Sequence, residues 1–356
     1  MPNSSGKNYV SDDELTECME AYESCDQNMS AGARFIGMHR TTFVSRVRTA
    51  QVRGIKGIKV EDVEIPPLMS GELPVEDKIE YMAKRYTRKE ESYNQRQWFP
   101  IKFKDNLPFG LAFVGDPHLD SGGCNWPLLQ EDVKIMASTP GMYATNLGDT
   151  TDNWVGRLSR LYAHNPATRS DAIDFAEWLI SKAGVKWLWV IRGNHDMWTD
   201  SRKDDPLNWM KHPVENAPTL DWDAKVTLQF PNKTEVKVWT QHNFKGTSIY
   251  NPLHGLMRAA KFTQLADIYA AGHIHEYSIL EHEDPLTHKH YFALRARGYK
   301  HIDTFAELHG FGSQRYGSTV VAVFDPCAAD DTRINCFSNL PEAAEFLTWK
   351  RSKRRK

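Results

Sequence analysis

Pro108-Phe-Gly-Leu-Ala-Phe-Val-Gly-Asp-Pro-His118 is the stretch on which the fold turns. Leu111 to Val114 read as a short strand buried on both faces, and the run ends at once in Asp116 and His118. The same design recurs downstream. Met142–Leu147 precedes Gly148-Asp149-Thr150-Thr151-Asp152, and Val185–Ile191 precedes Gly193-Asn194-His195-Asp196. Val236–Thr240 runs into His242, and Ile268–Ala271 into Gly272-His273-Ile274-His275. Each apolar run hands over to a small polar motif.

Between these strands the pattern turns helical, at 126–137, 168–183 and 253–264. Val226–Phe230 adds a strand that Pro231-Asn232 joins to Val236–Thr240 as a hairpin, and further strands are expected at 290–297 and 318–324. Strands alternating with helices predict an α/β sandwich, with the motifs just past the strand ends, where α/β proteins place their ligand sites.

The motifs supply carboxylates, an amide and imidazoles, the oxygen and nitrogen donors that adjacent divalent cations take. Asp116 and His118 are two apart, as are His273 and His275, so an extended backbone would aim each pair one way. The series DxH, GDxxD, GNHD, H, GHxH resembles the calcineurin-like metallophosphoesterases over roughly residues 108–325. That resemblance implies a double β-sandwich flanked by helices and a centre for two divalent metals. By it, Asp116, His118 and His275 hold one metal, Asn194, His242 and His273 the other, and Asp149 bridges them. His195 matches the family's general acid, while Asp152 and Asp196 match positions that brace the ligands through hydrogen bonds. His212 and His254 also lie between Asn194 and His273, so His254 stays in reserve for His242. A donor set without thiolate suits Mn²⁺, which we favour, as well as Zn²⁺, Fe or Ni²⁺.

Asp152 is followed by Asn153-Trp154, which departs from the GDxVDRG of the Ser/Thr protein phosphatase branch. Arg192, just before Gly193, is a candidate substrate contact. Asp120, Asn125, Trp126, Trp154, Trp198 and Trp209 follow the motifs closely, and the aromatics among them offer surfaces on which a base could stack.

The first 56 residues have another texture. Acids crowd Asp12 to Asp26, none occurs from Gln27 to Val60, and arginines gather there. A helix over about Asp13–Ser24 precedes Ser30–Ile36, a turn at Gly37-Met38-His39, and a second run from Arg40 to Val47. Ala33, Ile36, Val44 and Val47 have helical spacing for a small core, joined by Cys18 and Tyr22. This reads as a helix-turn-helix DNA-binding unit, with Arg40, Thr41, Ser45, Arg46 and Arg48 as candidate DNA contacts.

The organisation expected is a small all-α domain at 1–56, a linker and connecting helix at 57–100, an α/β catalytic domain at 101–340 and a basic tail at 341–356. A net charge of −2 excludes polyanion binding by bulk charge, so a nucleic-acid surface must be local. Five scattered cysteines without a CxxC fit a reduced compartment. The polar N-terminus and the lack of long apolar runs lead us to expect a cytoplasmic protein, in the host cytoplasm if phage-encoded, with no membrane partner. The function expected is hydrolysis of phosphate esters, foremost phosphodiesters of DNA. The alternatives are a phosphatase or phosphodiesterase on a nucleotide or other small phosphorylated molecule, and an inactive DNA-binding scaffold. Sequence leaves the oligomeric state open.

Overall fold

The computed structural model describes residues 10–56, 74–198, 217–263, 265–303 and 315–354. Its contacts divide the chain into two compact units, Met1–Tyr81 and Met82–Lys356.

In the first unit, α1 (Asp12–Ser24), α2 (Met29–Phe35) and α3 (Arg40–Arg53) pack around Leu15, Cys18, Ala33, Phe43, Val47 and Ala50. Ser11 opens α1 with a capping box to Glu14, and Asn28 caps α2, so both starts are written locally. Gly54, with φ 71°, ends α3 in the left-handed conformation. The expected core needs one correction. Val44 is only half-buried, and Phe43 takes the central place, because Phe43, Val47 and Ala50 form the face of α3 turned to α1 and α2. Helix α4 (Val75–Gln95) follows; the proline-containing linker at 57–73 lies outside the described residues.

The second unit is built on two six-stranded sheets. Its strands are β1 (Phe99–Lys102), β2 (Phe109–Val114), β3 (Met142–Asn146), β4 (Trp187–Ile191), β5 (Thr219–Leu220), β6 (Asp223–Gln229), β7 (Glu235–Gln241), β8 (Ile268–Ala271), β9 (Ser278–Glu283), β10 (His290–Arg295), β11 (Thr319–Phe324) and β12 (Ile334–Phe337). One sheet runs β12-β11-β2-β3-β4-β5, with β2 to β5 parallel. The other runs β1-β6-β7-β8-β10-β9, with β7, β8 and β10 parallel. Among the described residues its α-helices are α5 (Trp126–Ser138), α6 (Arg169–Glu177), the one-turn α7 (Asn194–Met197), α8 (His254–Thr263) and α9 (Leu340–Arg354).

Alternation along the strands sorts side chains into layers. Leu111 and Phe113 of β2 join Trp189, Val226, Val238, Ile268 and Val320 between the sheets. Ala112 and Val114 face outward, with Leu129, Val133 and Leu347 of α5 and α9. Leu256 and Ala260 of α8 cover Tyr269 and Ala293 on the opposite side. The expected α/β double sandwich flanked by helices, with a small helical region before it, is what the chain forms. The stretch read as a basic tail is a helix as far as Arg354. Leu340, Ala343 and Leu347 are buried, and Arg354 and Lys350 pair with Asp325 at 3.1 and 3.7 Å, so its charges anchor the helix. No helix among the described residues is long and apolar enough to cross a membrane.

Candidate metal centre

All five motifs meet at the C-terminal ends of parallel strands from both sheets. Asp116 and His118 follow β2, Asp149 follows β3, Asn194 and His195 follow β4, His242 follows β7, and His273 and His275 follow β8. The route differs from the one the spacing suggested. Asp116, His118, Asp149, His273 and His275 have φ of 43°, 44°, 51°, 76° and 52°, so each pair leaves the strand on left-handed rather than extended backbone. Such φ values outside glycine cost energy and concentrate at functional sites. Gly272 lacks a side chain for a steric reason, since a Cβ there would sit 2.1 Å from Asp116 Oδ2. At Gly193 a Cβ would meet Asp149 Oδ1 at 2.0 Å.

Two groups of donor atoms result. Asp116, His118 and His275 have ligand atoms within 4.8 Å of one another, as do Asp149, His242 and His273, and His118, Asp149 and His195 connect the two groups. His242 Nε2 lies 3.0 Å from Asn194 Oδ1, 3.1 Å from His273 Nδ1 and 3.2 Å from Asp149 Oδ2. Its Nδ1 is 2.7 Å from the Leu147 carbonyl, to which it donates, so Nε2 is the nitrogen that faces the cluster. His118 Nδ1 lies 2.8 Å from Asp152 Oδ1, and its buried Nε2 and Asp116 Oδ1 have no hydrogen-bond partner. Buried polar atoms left without partners at a convergence of N and O donors fit cations.

Two of the imidazoles stand in the ligating state, and His242 must lose a proton to reach it. Burial holds His273 down at about 4 and His275 well below its ordinary value, so both imidazoles are neutral at pH 7, the state that ligates. Burial opposes charge on His242 too, but the Asp149 carboxylate beside it lifts that imidazole to about 9. Burial likewise disfavours charge on Asp149, yet His242 and His195 hold it below the usual carboxylate range.

Asp152 and Asp196 brace these loops. Asp196 accepts from the Asp149 N–H at 2.7 Å, the Gly193 N–H at 2.8 Å and the Thr150 N–H at 3.0 Å, tying two motifs together. The Asp152 carbonyl takes the His195 Nδ1 hydrogen bond, and the Asp152 N–H donates to Asp120 Oδ1 at 2.6 Å. Lys300 Nζ reaches Asp152 Oδ1 at 3.1 Å. The buried Arg295 guanidinium donates to the carbonyls of Gly272 and Pro252 and to Asn243 Oδ1, beside His273 and His242. Sequence reasoning missed Lys300 and Arg295. Their signal was the cations in Ala293-Leu-Arg-Ala-Arg-Gly-Tyr-Lys300, charges where a buried strand calls for apolar residues.

His254 is exposed at the start of α8 and belongs to none of these groups; His212 and Trp209 lie outside the described residues. Arg192 is half-buried at the end of β4, outside the donor groups. Trp198 and Trp154 flank the His195 ring at 4.3 and 4.8 Å. Trp126 instead packs on Phe175 and Trp178, and Asn125 caps α5, so both serve the fold. In the first unit Arg46 lies 3.5 Å from Glu14, and Arg40 donates to Ser30 Oγ at 2.9 Å. Thr41 pairs with His39 Nδ1 at 2.8 Å, while Ser45 and Arg48 are exposed on α3.

A double β-sandwich with a paired His/Asp centre at its strand ends is the arrangement that the resemblance to calcineurin-like metallophosphoesterases implies. No family model matches the chain, and a comparison with curated proteins gives no match. Among solved structures it is similar to a predicted phosphoesterase of Streptococcus pneumoniae, at 12% identity and TM-score 0.30, over 65% of this chain and 99% of that one. It is similar to zinc-complexed Vps29 of Entamoeba histolytica, at 11% and 0.34, over 64% and 97%. Nuclease MPE of Pseudomonas putida follows at 15% and 0.28, over 64% and 87%. Scores at this level carry no functional argument, which rests on the site.

Proposed function

We propose that this chain is a dinuclear metal-dependent phosphoesterase that cleaves phosphodiesters of DNA, with its N-terminal helical unit holding the DNA. One observation carries the reading: two groups of buried N and O donors, sharing Asp149 through the His118–Asp149–His195 group, with partnerless Asp116 Oδ1 and His118 Nε2 inside. Asp116, His118 and His275 would hold one cation, Asn194, His242 and His273 the second, with Asp149 between. Mn²⁺ is favoured over Zn²⁺, Fe or Ni²⁺. Divalent cations held there supply Lewis-acid chemistry, neutralising charge on a phosphoryl group and lowering the pKa of water towards neutrality.

The chain's own groups do the rest. Asp152 fixes His118 through its carboxylate and His195 through its carbonyl, which orients both rings. With Nδ1 donating to that carbonyl, Nε2 carries a proton only in the imidazolium; burial lowers the His195 pKa and the Asp149 carboxylate opposes it, so the ring would give its Nε2 proton to the leaving oxygen from the minority charged form. Half-buried Trp198 beside it would offer a face for the leaving nucleoside, with buried Trp154 packed behind as its support. The helical unit, acid-free from Gln27 onward, raises the local concentration of DNA at the site. The Trp198 face also suits a lone nucleotide, the second reading.

The test is the Mn²⁺-loaded protein against bis-p-nitrophenyl phosphate, p-nitrophenyl phosphate, and single- and double-stranded DNA, with Asp149→Ala as the blank. Diester and DNA cleavage that disappears in the blank supports the proposal. Monoester turnover with DNA untouched moves the reading to a small substrate. Inactivity on all four points to a scaffold.

A further inference from the structure

Helix α4 carries no buried residue, yet it is not polar all round. Val75, Ile79, Met82, Tyr86 and Tyr93 are 64, 64, 58, 65 and 61% exposed. Their spacing runs four, three, four and then seven, with one d position skipped, the heptad period of a coiled coil rather than the stripe of a helix lying on a sheet. With Ile79, Tyr86 and Tyr93 at a, the d positions are Val75, Met82 and Lys89. Outside this seam the helix is polar apart from Ala83 and Tyr81. At about 1.5 Å per residue, its 21 residues give a rod about 31 Å long, three heptads.

The flanking charges say what fits the seam. The charged g positions are Lys78 and Arg85, both basic, and the charged e positions are Glu76 and Glu90, both acidic. In an antiparallel pair g meets g and e meets e, so like charges face each other. In a parallel pair g meets the next e of the other helix, which sets Arg85 against the partner's Glu90, twice by symmetry. Glu90 already lies along the seam, accepting from the Tyr86 hydroxyl at 3.3 Å. A face that is self-complementary about a two-fold axis fits a second copy of this chain.

We infer that α4 pairs in parallel with α4 of a second copy, making the protein a dimer. Lys89 at d is the seam's one charged residue and keeps the pairing moderate. This inference is independent of the metal chemistry.

The test is sedimentation equilibrium on the full chain. Wild type should be a dimer at tens of micromolar, with I79E/Y86E monomeric; these positions are exposed, so folding is not at stake. Reversing a g or e charge, R85E or E90R alone, should weaken the dimer roughly tenfold, and R85E/E90R together should restore it. Lys89→Leu should tighten it at least about tenfold, because a charge leaves the seam. A monomeric wild type at that concentration would falsify the inference. So would a dimer that survives I79E/Y86E, a double reversal that fails to restore pairing, or no gain from Lys89→Leu.

Discussion

Asp196 is the residue whose removal tests most directly how the site is assembled. Its buried carboxylate accepts three backbone N–H groups, two at Oδ2 from Asp149 and Gly193 and one at Oδ1 from Thr150. Asp196→Ala strands all three donors. Each buried unsatisfied donor costs about 1–3 kcal/mol, and water entering the vacated space recovers part, so the expected loss is about 3–5 kcal/mol. Asp196→Asn keeps the shape, but its one oxygen serves only the Oδ2 pair and its NH₂ opposes the Thr150 N–H. It should lose about 1–3 kcal/mol. Burial, with the Asp149 charge next, pushes the Asp196 carboxyl up to about 7, so the comparison belongs at pH 8 or above, where the acceptor is ionised. All 11 tryptophans lie in the second unit, so urea unfolding in EDTA followed by tryptophan fluorescence reports that unit alone. Calorimetric Mn²⁺ titration then reads the second effect. Asp149 and Asn194 sit on the loops Asp196 ties, so affinity should fall about 10–100-fold in both variants. The reasoning fails if Asp196→Ala costs under about 1 kcal/mol, or if Mn²⁺ binds both variants as it binds wild type.

Other expectations follow from single contacts. His195→Asn should slow a diester with an alkoxide leaving group about 10²–10⁴-fold but bis-p-nitrophenyl phosphate far less, since nitrophenolate leaves without a proton; equal losses would take the acid role from His195. Burial raises buried Asp132 to about 6, above the unfolded carboxylate, while its Tyr299 hydrogen bond at 2.6 Å pulls the other way. Its stabilising contribution is therefore full below about pH 4 and lost as pH rises through about 6, a swing of about 3 kcal/mol. Metal-free unfolding of Asp132→Asn from pH 4 to 8 should lack that slope, and an unchanged slope would move its origin elsewhere. Arg48→Ala should lower the salt slope of duplex binding by about 1, whereas Arg46→Ala, which loses Glu14, should chiefly lower the melting temperature of the first unit. Circular dichroism and fluorescence anisotropy on each variant check this, and the assignment falls if the effects are interchanged.

The sequence alone carried the alternation of strands and helices, the motifs at strand ends, and the three helices before Gly54. Those features are local: an apolar run with β-branched and aromatic residues, a capping Ser or Asn, and a glycine with positive φ act over a few residues. The donor chemistry was legible for the same reason, since Asp, Asn and His announce it wherever they stand. Sequence favoured His242 at a strand end with His254 in reserve, and tertiary structure brought His242 alone of the two into the cluster. His242 and His254 look alike as letters, and only the pairing of β7 with β8 brings His242 within 3.1 Å of His273. Tertiary structure alone decided that Asp116, His118, Asp149, His273 and His275 sit on left-handed backbone, because that strain is held by long-range bonds such as the His273 N–H to Asp116 Oδ2. The roles of Arg295 and Lys300, and the anchoring of α9 by its basic residues, needed the fold as well. A charge reads as solvent-facing until the carbonyl or carboxylate that meets it arrives from a distant part of the chain.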